Sequence, residues 1–215
     1  MIVSYGRRYI FIHIPKTGGT SLALALESRA MADDVMVGDT PKARRRRRRV
    51  RDVPTSGRLW KHSRLGDIYG LVDQDQIDNF FVFTLIRNPW DRVVSYYHWL
   101  RCQDFAHPMV GLAQRLDFPD FLADPGVARS FKNDAAGSYV TDRLGQEKCD
   151  LFLRLEHLDQ DVARLEDALG VSVAPLPHAN RSSRAGDYRS YYSDADAARV
   201  EALFAADVAR FGYRF

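Results

Sequence analysis

A short apolar run that ends abruptly in a glycine turn constrains this chain more than any other feature. Tyr9-Ile10-Phe11-Ile12-His13-Ile14 is rich in β-branched and aromatic residues and reads as a buried strand. Pro15-Lys16-Thr17-Gly18-Gly19-Thr20-Ser21 closes it at once. Leu22, Leu24, Ala25 and Leu26 follow among good helix formers, so residues 19–30 read as a helix. Strand, turn and helix in that order offer free backbone N–H groups to an anion at the helix start. Gly18 and Gly19 allow the backbone to wrap closely round a phosphate or sulfate. Thr20 and Ser21 add hydroxyl donors, and Lys16 adds a mobile positive charge. The turn departs from the nucleotide loop G-x-x-x-x-G-K-[ST]: no glycine opens it, and the lysine precedes the glycines. A plain Gly-Gly turn with a solvated lysine is the competing reading. A strand directly before and a helix directly after favour the anion loop.

A second junction of the same kind lies further on. Phe80-Phe81-Val82-Phe83-Thr84-Leu85-Ile86 is the strongest strand signal in the chain. Asn88 then suits an N-cap, Pro89 the first helical position, and Asp91 the positive helix end. Trp90, Val93, Val94, Tyr97 and Leu100 fall at helical spacing and form a core stripe. Arg87 ends the strand, where open α/β sheets bind ligands, and Ser95 lies off the stripe. An arginine fork and a hydroxyl on one surface suit a phosphate, although Arg87 could equally pair with Asp91.

Elsewhere, Arg58–His62 reads as a short strand, 64–72 as a helix, 150–155 as a strand, and 157–169 and 194–210 as helices. Strands alternating with helices imply an α/β fold with a mostly parallel central sheet. The length suits one domain, residues 1–215, with a long loop at about 38–57.

That loop holds an unusual charge run. Lys42, Arg44 to Arg49 and Arg51 put eight positive charges into ten residues, with no acid among them. The whole chain is +3, so the remainder carries −5. Nucleic-acid binders usually spread basic residues over a face, so a general nucleic-acid partner is not expected. A flexible, solvated loop is the plain reading, and an anionic ligand at Arg44–Arg49 is the functional one. No apolar run reaches the roughly 18–20 residues of a membrane span. No signal peptide is expected, and a cytoplasmic location follows, with Cys102 and Cys149 as reduced, buried thiols.

The two junctions together are far more specific than either alone. Phe11-Ile-His-Ile-Pro-Lys-Thr-Gly-Gly-Thr-Ser21 with Phe83-Thr-Leu-Ile-Arg-Asn-Pro-Trp-Asp-Arg-Val-Val-Ser95 closely resembles the sulfotransferases that use 3′-phosphoadenosine 5′-phosphosulfate (PAPS), above all their carbohydrate-type and bacterial branch. Phe152–Leu158, His178-Ala-Asn180, Asp187–Tyr192 and Phe211–Phe215 look like that branch too; the arginine run does not. The resemblance implies a P-loop-like three-layer fold and transfer of a sulfuryl group. It implies that Lys16, Thr17, Gly18, Gly19, Thr20 and Ser21 hold the 5′-phosphosulfate, that Arg87 and Ser95 hold the 3′-phosphate, and that Arg181, Ser182 and Arg184 could close over the nucleotide.

Sulfuryl transfer is an in-line displacement, to which the logic of phosphoryl transfer applies: positioning and charge stabilisation, with Lys16 beside the leaving group. The attacking hydroxyl needs a base, and histidine suits neutral pH. Of His13, His62, His98, His107, His157 and His178, His13 reads as a core residue inside the strand. The resembling branch carries its base between the two junctions, which points to His62. The scheme needs no metal. The acceptor is expected to be a glycan or a small hydroxylated molecule. A P-loop kinase and a non-catalytic polyanion-binding module are the alternatives; the missing nucleotide-loop pattern argues against the first, and the intact Lys16 and glycines against the second.

Overall fold

The computed structural model describes residues 1–177, 179 and 186–215. They fall into two compact units, each made of two stretches of chain: Met1–Ile86 with Ala136–Asn180, and Arg87–Ala135 with Arg181–Phe215.

The first unit is built on a five-stranded sheet. Its strands are β1 (Ile2–Ser4), β2 (Tyr9–Ile12), β3 (Val35–Met36), β4 (Phe81–Ile86) and β5 (Leu151–Arg154), in the order β3-β1-β2-β4-β5. The pairs β2–β4 and β4–β5 are parallel, with Phe11 opposite Phe83 and Phe83 opposite Leu151. The pairs β1–β2 and β1–β3 are antiparallel. The expected α/β sheet is present, with a parallel centre and an antiparallel edge. That edge arises because Tyr5 to Arg8 form a tight reversal, with Arg8 at φ 55, which leaves no room for the crossover a parallel pair requires. Every residue of β2 is buried, which is why it reads as a continuous apolar run.

Helices α1 (Gly19–Ser28) and α9 (Leu158–Leu169) supply Leu22, Leu26, Val162 and Leu165 to one core with Phe11, Phe83, Leu151 and Leu153. The Phe11 and Phe83 rings stack at 5.4 Å. Each such side chain contributes about 1.5–3 kcal/mol by leaving water. The unit also holds α2 (Pro41–Arg46), α3 (Gln74–Asn79) and α8 (Ala136–Tyr139).

Helix α2 lies where a loop was expected. A 3-10 turn, Arg47–Val50, continues it. Arginine is a good helix former, but adjacent charges repel, so something must hold the first turn. Thr40 makes no side-chain cap. The Glu27 carboxylate of α1 caps it instead, accepting from Lys42 N at 2.9 Å and Ala43 N at 3.4 Å. Lys42 Nζ donates to Glu27 O at 2.6 Å, Arg46 to Asp34 O at 3.0 Å, and Arg49 to Ala32 O. Ala43 is buried.

Residues 58–62 form no strand, and 64–72 yield only a 3-10 turn, Leu65–Asp67. The fully buried Ser63 hydroxyl bonds Arg58 O, Trp60 O and Trp60 N, which folds the segment back on itself.

The second unit is helical: α4 (Pro89–Arg101), α5 (Pro108–Arg115), α6 (Phe118–Ala123), α7 (Pro125–Phe131), α10 (Asp194–Leu203) and α11 (Ala205–Phe211). Asn88 caps α4 as expected, accepting from Trp90 N and Asp91 N. Trp90, Val93, Val94, Tyr97 and Leu100 are all buried with Phe121 and Phe204. Trp90 Nε1 donates to Ala197 O at 2.9 Å. The single helix expected over 194–210 is broken at Phe204, whose backbone leaves helical geometry as its ring enters the core. Cys102 is exposed and Cys149 half-buried, so neither is the buried thiol expected. No helix among the described residues is long and apolar enough to cross a membrane.

Candidate active site

In the first unit, β2 passes into α1 through two left-handed residues. Lys16 has φ 66 and Gly18 has φ 87. A lysine in that region is strained, typically by about 1–3 kcal/mol, and such strain gathers at functional positions. Helix α1 begins at Gly19 with no side-chain cap and no acidic residue in its first turn. No acidic side chain of its own first turn offsets its opening amides and partial positive charge.

The two glycines serve the protein's own packing as well. A methyl group at Gly18 would lie 2.8 Å from Leu155, and one at Gly19 would collide with the His13 ring. Leu155 follows Arg154, whose guanidinium forks onto Asp161 at 3.0 Å on both arms. Thr17 is buried and donates its hydroxyl to Ile14 O at 2.9 Å. Ser21 Oγ accepts from Ala179 N at 3.2 Å. Thr20 stands half-buried in the first turn of α1.

His13 joins this loop to the candidate base. Its ring lies over Gly19, stacks on Phe11, and meets the His62 ring edge-on at 4.7 Å. His62 Nδ1 is 2.7 Å from His13 O. A carbonyl oxygen only accepts, so Nδ1 carries the hydrogen and Nε2 keeps the lone pair. Burial lowers the His62 pKa to about 3, against the favourable bond to His13 O. Burial also holds His13 well below its ordinary value, and nearby positive charges, Lys16 among them, push the same way. Both rings are therefore neutral at pH 7.

The second unit holds Arg87 and Ser95. Arg87 donates through Nε and Nη2 to Asp91 Oδ2, at 2.8 and 2.6 Å, the pairing weighed from the sequence. Ser95 is buried rather than on an open surface. One turn of helix accommodates both facts: Ser95 is off the Trp90–Tyr97 stripe yet still covered. Arg181, Ser182 and Arg184, with His178 and Asn180, lie outside the described residues.

Compared with family models, residues 1–214 match the sulfotransferase family. The chain belongs to that family. Among solved structures, this sulfotransferase resembles the crystal structure of mouse sulfotransferase SULT7A1 complexed with PAP, with a TM-score of 0.56 and 14% identity over 96% of this chain and 86% of that one. At that identity the likeness is one of fold. No curated protein matches the sequence.

Three features of the sulfotransferase were not read from its sequence. His13 is a partner of the candidate base, not only a core ring. Trp60, exposed, meets the His62 ring edge-on at 5.0 Å, under the Arg58 guanidinium at 5.2 Å. Lys61 pairs with Asp39 at 2.7 Å, which ties the His62 segment to the chain entering α2. A histidine pointing across a strand end towards a Gly-Gly turn was the available signal for the first.

Proposed function

We propose that this sulfotransferase moves the sulfuryl group of PAPS to the hydroxyl of a carbohydrate or other small hydroxylated molecule by in-line displacement. The observation that carries this is the start of α1: a helix end with no side-chain cap and no acid in its first turn, reached through a left-handed lysine and glycine. That donor set fits an oxyanion. PAPS supplies the activated sulfuryl group.

The roles of the chain's own residues follow from their chemistry. The amides from Gly18 onward and the hydroxyl of Thr20 hold the phosphosulfate end, with Thr17 and Ser21 shaping the turn. Lys16 offers positive charge to the leaving phosphate oxygen as negative charge grows there. His62, neutral and with its Nε2 lone pair fixed by His13 O, accepts the proton of the attacking hydroxyl. Negative charge placed beside the ring raises its proton affinity from the low value burial imposes. In the second unit, Arg87 and Ser95 are assigned to the 3′-phosphate, with Asp91 orienting the guanidinium until a stronger acceptor arrives. Arg181 and Ser182 keep their assignment to the nucleotide on the resemblance alone. We treat residues 1–215 as one sulfotransferase domain, in line with the span of the family match, and place it in the cytoplasm, where its free thiols are stable.

Thermal shift with PAP and ATP, followed by labelled PAPS with a panel of hydroxylated acceptors, tests the reading. Stabilisation by PAP over ATP and labelled product support it. Stabilisation by ATP alone, with no label transferred to any acceptor, would sink it.

A further inference from the structure

The arginine run is outside the family pattern and takes no part in the reaction outlined above, yet it is a folded surface. Of its seven arginines, Arg44, Arg45, Arg47, Arg48, Arg49 and Arg51 are exposed. Arg44, Arg45, Arg47, Arg48 and Arg51 form no side-chain ion pair among the described residues. Lys42, Arg46 and Arg49 supply the anchoring bonds, and Glu27 the cap. The outward cations are thus held on a framework that does not consume them.

Three observations narrow the partner. The exposed cations are all arginine, whose planar fork binds sulfate, carboxylate or phosphate in two-point fashion; a bilayer surface would be served as well by lysine. No aromatic residue lies among residues 41–51, so the segment lacks the stacking platforms that bind nucleic-acid bases. The segment is also rooted at the active site: Asp39, two residues before α2, pairs with Lys61, the neighbour of His62. On the proposed activity, each turnover adds one more sulfate ester, the very group the arginines fit.

We propose that the exposed arginines of 44–51 are an exosite for anionic, sulfate- or carboxylate-bearing stretches of a polymeric acceptor, the enzyme's own sulfated product among them. The exosite holds a polymer while a hydroxyl is presented to His62, and it draws chains that already carry charge. The enzyme then adds later sulfates to a chain faster than the first. This rests on the sulfotransferase reading above, and the reaction feeding it is one that makes or first charges such a polymer.

The test compares the full-length wild type with a variant carrying Arg44→Ala, Arg45→Ala, Arg47→Ala and Arg48→Ala, which spares every anchoring contact. Binding of dextran sulfate, neutral dextran, a single-stranded oligonucleotide and phosphatidylserine vesicles is measured across a salt series. Dextran sulfate should bind the wild type best, at least tenfold more weakly to the variant, with the log–log salt slope reduced by roughly three to four. Neutral dextran should bind neither. Equal affinity of both proteins for dextran sulfate would overturn the proposal, and so would stronger binding of the oligonucleotide or the vesicles. Stabilisation by PAP, measured in parallel, should be the same in both proteins. Its absence from both would count against the sulfotransferase reading while leaving the dextran sulfate result to stand by itself.

Discussion

His62 Nδ1 lies 2.7 Å from the carbonyl oxygen of His13, and this one bond fixes which nitrogen of His62 can take a proton. Asparagine can reproduce the donor to that carbonyl but has no basic nitrogen. His62→Asn should therefore keep the local fold and PAP binding while kcat falls by about 10²–10⁴-fold. Steady-state rates with labelled PAPS check this, and a variant with wild-type kcat would remove His62 as the base.

Lys16 sits at φ 66, a conformation glycine adopts without strain. Lys16→Gly should hold or slightly raise the melting temperature while lowering kcat by 100-fold or more, since the charge is gone. Lys16→Arg keeps the charge and should retain more turnover. Thermal melts beside rates read both; a Lys16→Gly protein that stays fully active would show that the strain serves no catalytic purpose.

A methyl group at residue 19 meets the ring of His13, the residue whose carbonyl oxygen bonds His62 and whose ring meets the His62 ring edge-on. Gly19→Ala should cost about 1–3 kcal/mol of stability, in the range of other overpacking changes, and should also slow turnover through the displaced base. Urea melts and kcat give the two effects. If stability drops with kcat intact, His13 does not position His62.

His13 and His62 both fold with lowered pKa values, His62 at about 3. As pH falls below the ordinary value of 6.5, the unfolded chain gains these protons first. Stability is thus fully present above that pH and is lost as pH falls towards about 3, with a slope of up to about 1.4 kcal/mol per unit for each histidine. His62→Asn should flatten the wild-type slope between pH 6.5 and 4.5. Equal slopes in urea titrations would mean that His62 is solvated.

Arg87→Lys loses the fork and Ser95→Ala loses the hydroxyl proposed for the 3′-phosphate. Each should narrow the preference for PAP over 5′-AMP by about tenfold, the scale of a hydrogen bond to a charged group. Calorimetric affinities for both nucleotides decide this. An unchanged ratio would leave the Arg87–Asp91 pair a purely structural feature.

Much of this was legible in the sequence because it depended on neighbours in the chain. Tyr9 to Ile12, Phe81 to Ile86 and the Asn88-Pro89 cap declared themselves through local pattern. The start of α1 did so through its glycines. What could not be read depended on partners distant in the chain. The helix over Pro41–Arg46 needs Glu27, and the tautomer of His62 needs a carbonyl 49 residues away. Helices α5, α6 and α7 are a different case. His107-Pro108, Asp117 before Phe118-Pro119, and Asp124-Pro125 each signal a capped start, but short helices leave too little periodicity to stand out from loop.

The Glu27 carboxylate under α2 has a consequence for how the arginines would meet a partner. A loose basic tether loses chain freedom on binding, and that loss weakens its affinity. Here the first turn of the run is held before any ligand arrives, because one acidic side chain of α1 accepts from its opening amides. Neutralising that single carboxylate would leave all seven arginines in place and their total charge unaltered, yet weaken the cap on the turn that arrays them, with only the bonds to backbone carbonyls left to hold it.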